Sequence, residues 1–386
     1  MGTDPRILIV TESLGYGGTE SHLLTILPRL AARGFKIIVF CLTERGVRAD
    51  ALERAGIEVI ASPHISKTKR SPLRYPLHLT FASAKLFNLA RQWQPDIAHF
   101  FLPAPYLIGG PIAKVVGVPI RIMSRRSLTY YQRNWRGTRT MERILHRHMA
   151  AITGNCRAIL RELVEEGVPE QKLRLMYNGI EVTGPKLDRV AARAELGLDP
   201  DCLVGATIAN LIPYKGHEDL LEGLAIAAPQ MPVPWNFLCV GRDDGRQAAL
   251  SALAEKRGIG GNVAFLGPRI DVDRILAAAD FGVLPSRNEG FSNAILESMN
   301  AGLPMVVTDV GGNAEAVIDD ETGFVVPAFD PEALASAILR LARDPALRGR
   351  LGNAGLTRVE TTFTLDHSVS RYCELYDNLL KSAGLA

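Results

Sequence analysis

Short apolar runs, rich in β-branched residues, recur along the chain and leave room for a helix between one run and the next. They lack a strict alternation of apolar and polar positions, which is typical of parallel strands covered by helices on both faces. The pattern predicts two parallel sheets in succession. The first series lies at residues 7–10, 36–42, 58–61, 97–102 and 120–124, and the second at residues 203–209, 237–241, 263–267, 282–285, 305–308 and 324–327.

A segment with glycine and proline punctuation, residues 179–186, separates the two series and is a suitable linker. We therefore predict an α/β fold of two Rossmann-like domains facing across a cleft, with residues 1–182 in the N-terminal domain and residues 183–365 in the C-terminal one. Apolar positions recur at helical spacing within residues 366–386, which predicts a C-terminal helix. We expect this helix to pack back on the N-terminal domain.

The first predicted strand leads into a glycine-rich turn, GYGGTE, at residues 15–20. In a Rossmann domain such a turn holds the pyrophosphate of a dinucleotide, and its sixth position is a small residue where helix and strand pack closely. Glu20 occupies that position here, which argues against NAD. Gly17 and Gly18 remain candidates for contact with a phosphate group at the carboxyl end of the sheet.

Composition narrows the class of protein. The chain has 386 residues, of which 47% are hydrophobic and 22% charged, and these fractions are ordinary for a soluble enzyme. The net charge of +3 gives no general case for nucleic-acid binding. Five scattered cysteines lack metal-ligand spacing and suit a reducing compartment, and no leader or membrane span stands out. We expect a cytoplasmic protein, with peripheral attachment to the inner face of the membrane as the alternative.

The strongest candidate for chemistry is the stretch EGFSNAILE, from Glu289 to Glu297. Ser292 or Asn293 is a suitable N-cap and Gly302 a suitable stop, so we predict a helix that begins near Ser292 and offers its N-terminus to an anion. Glu297 then lies about 7 Å along the helix axis, roughly the span from a diphosphate to a ribose. Glu289 lies in the preceding loop, within reach of a sugar hydroxyl. The alternative is that both carboxylates face solvent.

This stretch belongs to a longer string that resembles the retaining glycosyltransferases of family four, also described as glycosyl transferases group 1, which have the GT-B fold. The resemblance extends over nearly the whole chain and is strongest from residue 209 to residue 327. The other matching residues are Gly17, Gly18, Thr19, Glu20, Tyr177, Asn178, Gly179, Ile180, Lys215, Gly216, Met299, Ala301, Gly302, Pro304, Val310, Gly311, Gly312, Asn313, Ala314, Glu315, Thr322 and Gly323.

The resemblance implies a reaction. A nucleoside-diphosphate sugar, with a UDP-sugar favoured and a GDP-sugar as the alternative, would be bound mainly by the second domain. A hexosyl or hexosaminyl group would move with retention to a hydroxyl of a glycolipid or polysaccharide precursor, which the first domain would bind. The family arrangement needs no metal ion and no cofactor beyond the sugar nucleotide. The adjacent Asp243 and Asp244 are better explained as a turn than as a metal site.

The resemblance also implies a role for each site residue. Glu289 and Lys215 are the expected catalytic residues, because Glu289 would hold a donor-sugar hydroxyl and Lys215 the diphosphate, whose charge grows as the anomeric bond breaks. Glu297 would bind the ribose, and the nucleotide base would lie against residues 267–269. The amides of residues 291–293 would bind the sugar and the β-phosphate. The complete expected donor set is Gly17, Gly18, Asn210, Lys215, Gly267, Pro268, Arg269, Glu289, Gly290, Phe291, Ser292, Asn293 and Glu297.

Two positions depart from the family pattern. Many relatives carry an arginine five residues before the phosphate lysine, where this chain has Asn210. A further cation is therefore expected, and Arg242 or Arg125 could supply it. Many relatives also carry His-x-His after the fourth strand, whereas this chain has His99 and Phe101. His99 is either an acceptor-side contact or a satisfied core residue.

An arginine-rich stretch, residues 121–147, marks the acceptor side, and basic residues at 67–74 add charge to the same domain. Such a stretch suits anionic headgroups or a lipid-linked phosphate, and Arg125 and Arg126 are acceptor-side candidates. The alternative is a helix with a solvated basic face. The arginines and aromatic residues of the stretch are Arg121, Arg125, Arg126, Tyr130, Tyr131, Arg133, Trp135, Arg136, Arg139, Arg143 and Arg147.

Two functions of other classes stay open beside sugar transfer. One is a sugar-nucleotide epimerase or hydrolase on the same fold, which needs no acceptor. The other is a non-catalytic module that binds a nucleotide without turnover. Release of the nucleoside diphosphate that depends on an acceptor distinguishes transfer from both.

Overall fold

The computed structural model describes residues 4–62, 74–129, 132, 137–184 and 187–385. The chain forms two compact units: the first combines Met1–Gly179 with Leu365–Ala386, and the second is Ile180–Thr364. The first division falls at residue 179, where the sequence analysis placed it at residue 182. The C-terminal segment is part of the first unit from Leu365 onwards.

Each unit contains one parallel sheet. The strands are β1 (Arg6–Ser13), β2 (Lys36–Glu44), β3 (Glu58–Ala61), β4 (Ile97–Phe101), β5 (Ile120–Arg125), β6 (Ala151–Gly154), β7 (Leu173–Leu175), β8 (Leu203–Ile208), β9 (Trp235–Val240), β10 (Val263–Gly267), β11 (Phe281–Leu284), β12 (Met305–Thr308) and β13 (Gly323–Val326). The first sheet has the order β3-β2-β1-β4-β5-β6-β7 and the second the order β10-β9-β8-β11-β12-β13. In each sheet the strand order changes direction once. The second and third strands are added on one side of the first strand, β1 or β8, and the later strands are added on its other side.

Every predicted run coincides with a strand, and the prediction of two parallel sheets is confirmed. β6 and β7 were not predicted, because the sequences AITG and LRL are too short to show as apolar runs. The lack of alternation has the expected cause in the second sheet. Phe237 and Cys239 of β9 pack into one core while Leu238 packs into another, so both faces of the strand are covered.

Helices connect the strands. They are α1 (Gly18–Ala32), α2 (Ala49–Arg54), α3 (Arg74–Trp93), α4 (Pro103–Val116), α5 (Thr138–His146), α6 (Arg157–Glu165), α7 (Arg189–Glu195), α8 (His217–Ala227), α9 (Gln247–Lys256), α10 (Val272–Ala278), α11 (Asn293–Asn300), α12 (Asn313–Ala316), α13 (Pro331–Arg343), α14 (Pro345–Thr362) and α15 (Leu365–Ser382). Among the described residues, no helix combines the length and the apolar character that a membrane crossing requires.

The predicted C-terminal helix is α15, and it completes the core of the first unit. Val369, Tyr372 and Tyr376 are buried in the same apolar cluster as Ile9 of β1 and Leu23 of α1. Burial of apolar side chains at about 25 cal/mol per Å² is the main force that holds such a helix in place. The last helix of the chain therefore packs in the same apolar core as its first strand and first helix.

Candidate functional site

The predicted anion-binding helix is present as α11. Ser292 is its N-cap, with extended backbone angles of φ −84° and ψ 124°, and the helix runs from Asn293 to Asn300. Gly302 stops it in a left-handed conformation at φ +75°. The Ser292 side chain makes no capping hydrogen bond to the first turn. Glu297 lies on this helix and is half-buried.

Lys215 and Glu289 form an ion pair at the carboxyl ends of β8 and β11. Lys215 closes a short 3₁₀ turn after β8, and its ammonium group donates a hydrogen bond to Oε1 of Glu289. The Ser286 hydroxyl donates to the same carboxylate oxygen at 3.0 Å. Side-chain exposure is only 17% for Lys215 and 11% for Glu289. The structure thus brings together the two side chains to which the resemblance assigns catalysis.

Gly216 explains how the Lys215 turn reaches this place. Its φ is +70°, and an added Cβ would lie 1.9 Å from the carbonyl oxygen of Pro285. The loop after β8 and the loop after β11 are therefore in backbone contact, which only a glycine permits. The amide of Arg287 also donates to the carbonyl of Tyr214 at 2.7 Å. These two contacts fix the backbone that carries Lys215 against the loop that leads to Glu289.

A second glycine supports Glu289 from the other side. Gly311, in the loop after β12, has φ +56°, and a Cβ there would lie 2.0 Å from the carbonyl oxygen of Glu289. The amide of Gly312 donates to the carbonyl of Gly290 at 2.6 Å. Sequence reasoning had recorded these glycines as family matches without a role. Their adjacency in sequence, shortly after the predicted strand at residues 305–308, was the available signal.

The residues expected to bind the donor after β8 and at the end of β10 also lie at one edge of the sheet. Oδ1 of Asn210 accepts from the amide of Arg242 at 3.0 Å. The amide of Gly241 donates to the carbonyl of Gly267 at 3.0 Å. Hydrogen bonds therefore join the loops that carry Asn210 and Gly267 to the segment after β9, with exposed Pro268 and Arg269 immediately beyond Gly267.

The cations of this edge are already paired with acids of the same loops. Arg242 donates two hydrogen bonds of 2.9 Å to Asp244, which raises the pKa of Arg242, and Arg269 binds Asp271 at 2.6 Å. Asp243 accepts from the amides of Arg246 and Gln247 at 2.6 and 3.0 Å. The Asp243 carboxylate thus binds the backbone that leads into α9.

His217 lies buried behind Lys215 at the start of α8. Burial, and then the charge of Lys215, lowers the pKa of His217 to about 4, so this imidazole is neutral at pH 7. His217 therefore adds no positive charge next to Lys215 at pH 7.

The glycine turn of the first unit leads directly into α1. Gly17 is the N-cap of α1 and has an extended backbone, with φ −175°. The Glu20 carboxylate lies against Gly17. A Cβ added to Gly17 would be only 2.2 Å from Oε2 of Glu20. Around Gly18, in contrast, there is open space for a Cβ. The residue that argued against NAD thus packs on the turn itself.

The expectation that Arg125 faces an acceptor, a diphosphate or a lipid is wrong. Its side chain is completely buried and binds Glu142 at 2.7 Å and Glu166 at 2.8 Å. Burial alone would raise the pKa of Glu166, but hydrogen bonds from His146 and Arg125 hold it at about 2. Glu142, His146 and Glu166 are close enough to one another to ligate a metal ion, yet the Arg125 guanidinium already provides the positive charge between the carboxylates.

The acceptor-side expectation for His99 is also wrong, and the core alternative is correct. His99 is fully buried in β4. Its Nδ1 shares a hydrogen bond of 2.8 Å with Tyr376, and its Nε2 shares one of 2.7 Å with Ser124. Burial, and then the charge of Arg126, lowers the pKa of His99 to about 3. Both ring nitrogens are therefore engaged inside the protein.

The arginine-rich stretch divides into buried, exposed and undescribed parts. On α5 the exposed residues include Arg139 and Arg143, and Met141 and Ile144 are 52% and 54% exposed beside them. Arg126 is buried. Other residues of the stretch and its neighbours lie outside the described residues or have undescribed side chains, and these are Lys67, Lys69, Arg70, Arg74, Tyr130, Tyr131, Arg133, Trp135 and Arg136.

Comparison with known families agrees with this arrangement. Residues 203–344 match the model of "Glycosyl transferases group 1", and residues 16–183 match that of "Glycosyltransferase Family 4". The chain belongs to the group 1 glycosyltransferases of family 4. The two matched stretches take in most of both units of this family 4 chain, so the recognised family is confirmed.

Individual relatives of this family 4 chain differ in the length that they share with it. The D-inositol 3-phosphate glycosyltransferase of Jonesia denitrificans is 30% identical over 228 residues, which cover 56% of this chain and 53% of that protein. The chain thus matches only about half the length of that relative. The lipopolysaccharide core biosynthesis glycosyltransferase LpsE of Rhizobium meliloti is 26% identical over 365 residues, or 93% of this chain and 95% of that protein.

Solved structures show the same fold. Anabaena HepE, in complex with UDP and glucose, matches with a TM-score of 0.83 and 21% identity, covering 97% of this chain and all of that one (100%). Each unit of the present chain is a Rossmann-like α/β domain with a parallel sheet, and the pair corresponds to the GT-B class. The predicted fold class is confirmed.

Proposed function

We propose that this chain transfers a hexosyl or hexosaminyl group from a nucleoside-diphosphate sugar to a hydroxyl of a glycan or lipid-linked acceptor, with retention and without a metal ion. One observation carries the proposal: the Lys215 ammonium and the Glu289 carboxylate meet directly before the N-terminus of α11. A cation and a helix N-terminus attract a diphosphate, and a carboxylate beside them accepts from a sugar hydroxyl.

This arrangement suits the charge that develops in the reaction. Breakage of the anomeric bond leaves positive charge on the sugar and extra negative charge on the departing diphosphate. The contacts of Gly216 and Gly311 fix the backbone next to Lys215 and the loop that leads into α11, so these groups need little rearrangement as that charge grows. The same groups bind the transition state more strongly than the ground state, which is the condition for catalysis.

The relatives favour a UDP-sugar as the first donor to try. The HepE structures contain UDP, UDP and glucose, or UDP-glucose. LpsE is described as a lipopolysaccharide core biosynthesis glycosyltransferase. We infer from these names a UDP-sugar donor, with a GDP-sugar second, and an acceptor on the way to a cell-surface glycan.

Acceptor-dependent release of the nucleoside diphosphate tests the proposal. The purified full chain is first screened by thermal shift with UDP-, GDP- and ADP-sugars, since a ligand that binds the native state raises the apparent stability. The stabilising donors are then incubated with free, phosphorylated and lipid-linked sugars, with and without EDTA. We expect release only with an acceptor, unchanged by EDTA, and a product that keeps the anomeric configuration in NMR spectra. Release without an acceptor would indicate a hydrolase, and binding without release a non-catalytic module.

Substitution of the two glutamates of the site should have different effects on UDP affinity and on turnover. We expect Glu297→Ala to weaken UDP binding by about tenfold, because a charged acceptor of ribose hydrogen bonds is lost. Glu289→Ala should keep or strengthen UDP binding, since it frees the Lys215 ammonium from its ion pair, and should lose turnover. Calorimetry with UDP and steady-state kinetics measure the two effects. Glu332→Ala, an exposed change on α13, is the control, and equal losses of UDP affinity in both variants would contradict these roles.

We also propose that α5 contacts an anionic membrane surface. Its exposed residues combine the charges of Arg139, Arg143 and, directly after the helix, Arg147 with apolar Met141 and Ile144. A basic face with protruding apolar side chains is suited to lie at a headgroup layer. Each cation near such a surface contributes about 1 kcal/mol, and the attraction falls off within a Debye length.

Co-sedimentation with phosphatidylserine-containing vesicles checks this surface. We expect binding at low salt, a steep fall as the salt concentration rises, and a large loss when Arg139, Arg143 and Arg147 all become glutamine. The control changes exposed Arg33, Arg54 and Arg91 of the same unit, which keeps the change in net charge equal. Equal losses of vesicle binding in both triple variants, or no binding at low salt, would support the alternative that α5 has a basic face exposed only to solvent.

A further inference from the structure

Arg125 and Arg126 are consecutive, yet they point to opposite sides of the first sheet. Arg125 turns toward Glu142 and Glu166, which neutralise it. Arg126 turns toward the face covered by α1 and α15, where Tyr372 lies within hydrogen-bonding reach. Successive side chains at the end of a strand alternate in this way. The two charges therefore have separate surroundings and need separate explanations.

Arg126 is a buried cation with neutral partners. Only 9% of the residue is exposed, and its Nη2 donates to Oδ1 of Asn178 at 2.6 Å. Across the described ranges of the chain no carboxylate forms an ion pair with Arg126. Glu20 has a favourable electrostatic interaction with Arg126, without a hydrogen bond between them. Burial lowers the pKa of Arg126, but a guanidinium does not lose its proton in a protein. A buried charge of this kind is costly unless an anion completes it.

The two histidines and the tyrosine around Arg126 carry no compensating charge. His22 and His99 are buried, and burial followed by the charge of Arg126 lowers the pKa of each well below neutrality. Burial raises the pKa of the Tyr372 hydroxyl, which therefore keeps its proton. His22 bonds to Tyr372 at 3.0 Å and His99 to Ser124 at 2.7 Å, and a hydrogen bond between Tyr372 and Ser124 joins these side chains into one network. The network is neutral apart from the charge of Arg126.

The location is the carboxyl edge of the first sheet, where ligands of doubly wound sheets bind. Arg126 directly follows β5, Asn155 follows β6, and Thr11 lies near the end of β1. Within the part of the chain that the structure describes, Oγ1 of Thr11 and Oδ1 of Asn155 are buried polar atoms with no hydrogen-bond partner. Unsatisfied polar groups at the edge that binds ligands are a second sign of a binding site.

We propose that Arg126 binds an anionic group of the acceptor, so that the acceptor substrate carries a carboxylate or a phosphate. This inference rests on the proposed transfer reaction and adds the chemical class of the acceptor. The donor diphosphate has its own cation in the other unit, where Lys215 lies beside α11. A planar guanidinium binds carboxylate and phosphate oxygens in pairs, which makes arginine a better match than lysine.

Anion binding is tested first without any transfer reaction. Thermal shift is recorded with inorganic phosphate and with malonate at constant ionic strength, in a Lys215→Ala background that weakens the donor subsite. We expect saturable stabilisation that weakens by about ten- to a hundredfold in apparent affinity when Arg126→Gln is added. Arg126→Lys should fall between the two, because it keeps the charge and loses the paired geometry. Arg33→Gln, exposed at the end of α1, should change nothing.

Transfer kinetics then separate the acceptor from the donor. Glucose 6-phosphate and glucose serve as a matched pair of acceptor probes, and UDP affinity is measured by calorimetry in the same variants. We expect Arg126→Gln to remove the preference for the phosphorylated probe and to leave UDP affinity within about twofold of the parent protein. If Gln does not fold at this position, Arg126→Lys gives the same comparison with a smaller loss.

Several results would overturn the inference. One is anion stabilisation that is equal in the parent and in Arg126→Gln, and another is a fall in UDP affinity as large as the fall in phosphate affinity. Equal transfer to charged and neutral probes would also overturn it while leaving sugar transfer intact. Absence of transfer with Arg126-dependent anion binding would instead contradict the proposed function, so the two failures are distinguishable.

Discussion

Lys215→Ala will lower kcat/KM for sugar transfer by about a hundredfold or more. Lys215 pairs with Glu289 in the loop that leads to α11, and loss of one preorganised charge donor costs roughly 3 kcal/mol of transition-state stabilisation. The ion pair with Glu289 adds to the effect, because the carboxylate is then left without its cation at a site of low exposure. Initial rates of nucleoside-diphosphate release at low donor concentration give the measurement.

Lys256→Ala is the matched control for this change. Lys256 is exposed in the last turn of α9, in the same unit, so its loss alters the net charge equally. We expect normal kinetics for this control. A folded Lys215→Ala protein with the kcat/KM of the parent would show that Lys215 does not stabilise the departing diphosphate.

Gly216→Ala should have an effect of similar size through the backbone. The new Cβ would lie 1.9 Å from the carbonyl oxygen of Pro285, so one of the two loops must move. The φ of +70° adds a cost of about 1 kcal/mol for any residue with a Cβ. A displacement of about 1 Å at a catalytic group lowers the rate by roughly a hundredfold. Kinetics and thermal unfolding of the same preparation report the two consequences.

The control for Gly216 is Gly258→Ala. Gly258 has φ +75° and open space around the position of a Cβ, so this change introduces the backbone strain without a collision. We expect a modest loss of stability and normal kcat/KM. If Gly216→Ala matched Gly258→Ala in both measurements, the contact with Pro285 would have no part in positioning Lys215.

The strand pattern was readable because each strand had to be apolar by itself. β8, β9 and β10 are covered on two faces, so their residues are apolar wherever they point, and no knowledge of the partner strand is needed. The start and stop of α11 were readable for a similar reason, since capping and the left-handed Gly302 are local properties. β6 and β7 were missed because most of their stability comes from their neighbours rather than from their own short sequences.

The pairing of Lys215 with Glu289 was not readable from local pattern. These residues are far apart in sequence, and they are brought together by contacts between loops, among them those of Gly216 with Pro285 and of Gly311 with Glu289. Family resemblance named both side chains, but it did not say that they bind each other. A positive φ and a close backbone approach leave no periodic signal, so the role of the two glycines became visible only in the fold.

The sequence by itself determined most of the succession of strands and helices, the family and the two ends of α11, because propensity, burial and capping act over a few neighbouring positions. It could not determine the fates of Arg125 and Arg126, which are the same residue type at adjacent positions. Arg125 meets Glu142 and Glu166, whereas Arg126 meets neutral side chains from α1 and α15. Only the tertiary structure decided which charge is neutralised, because the partners come from distant parts of the chain and electrostatic energy depends on distance and burial in space.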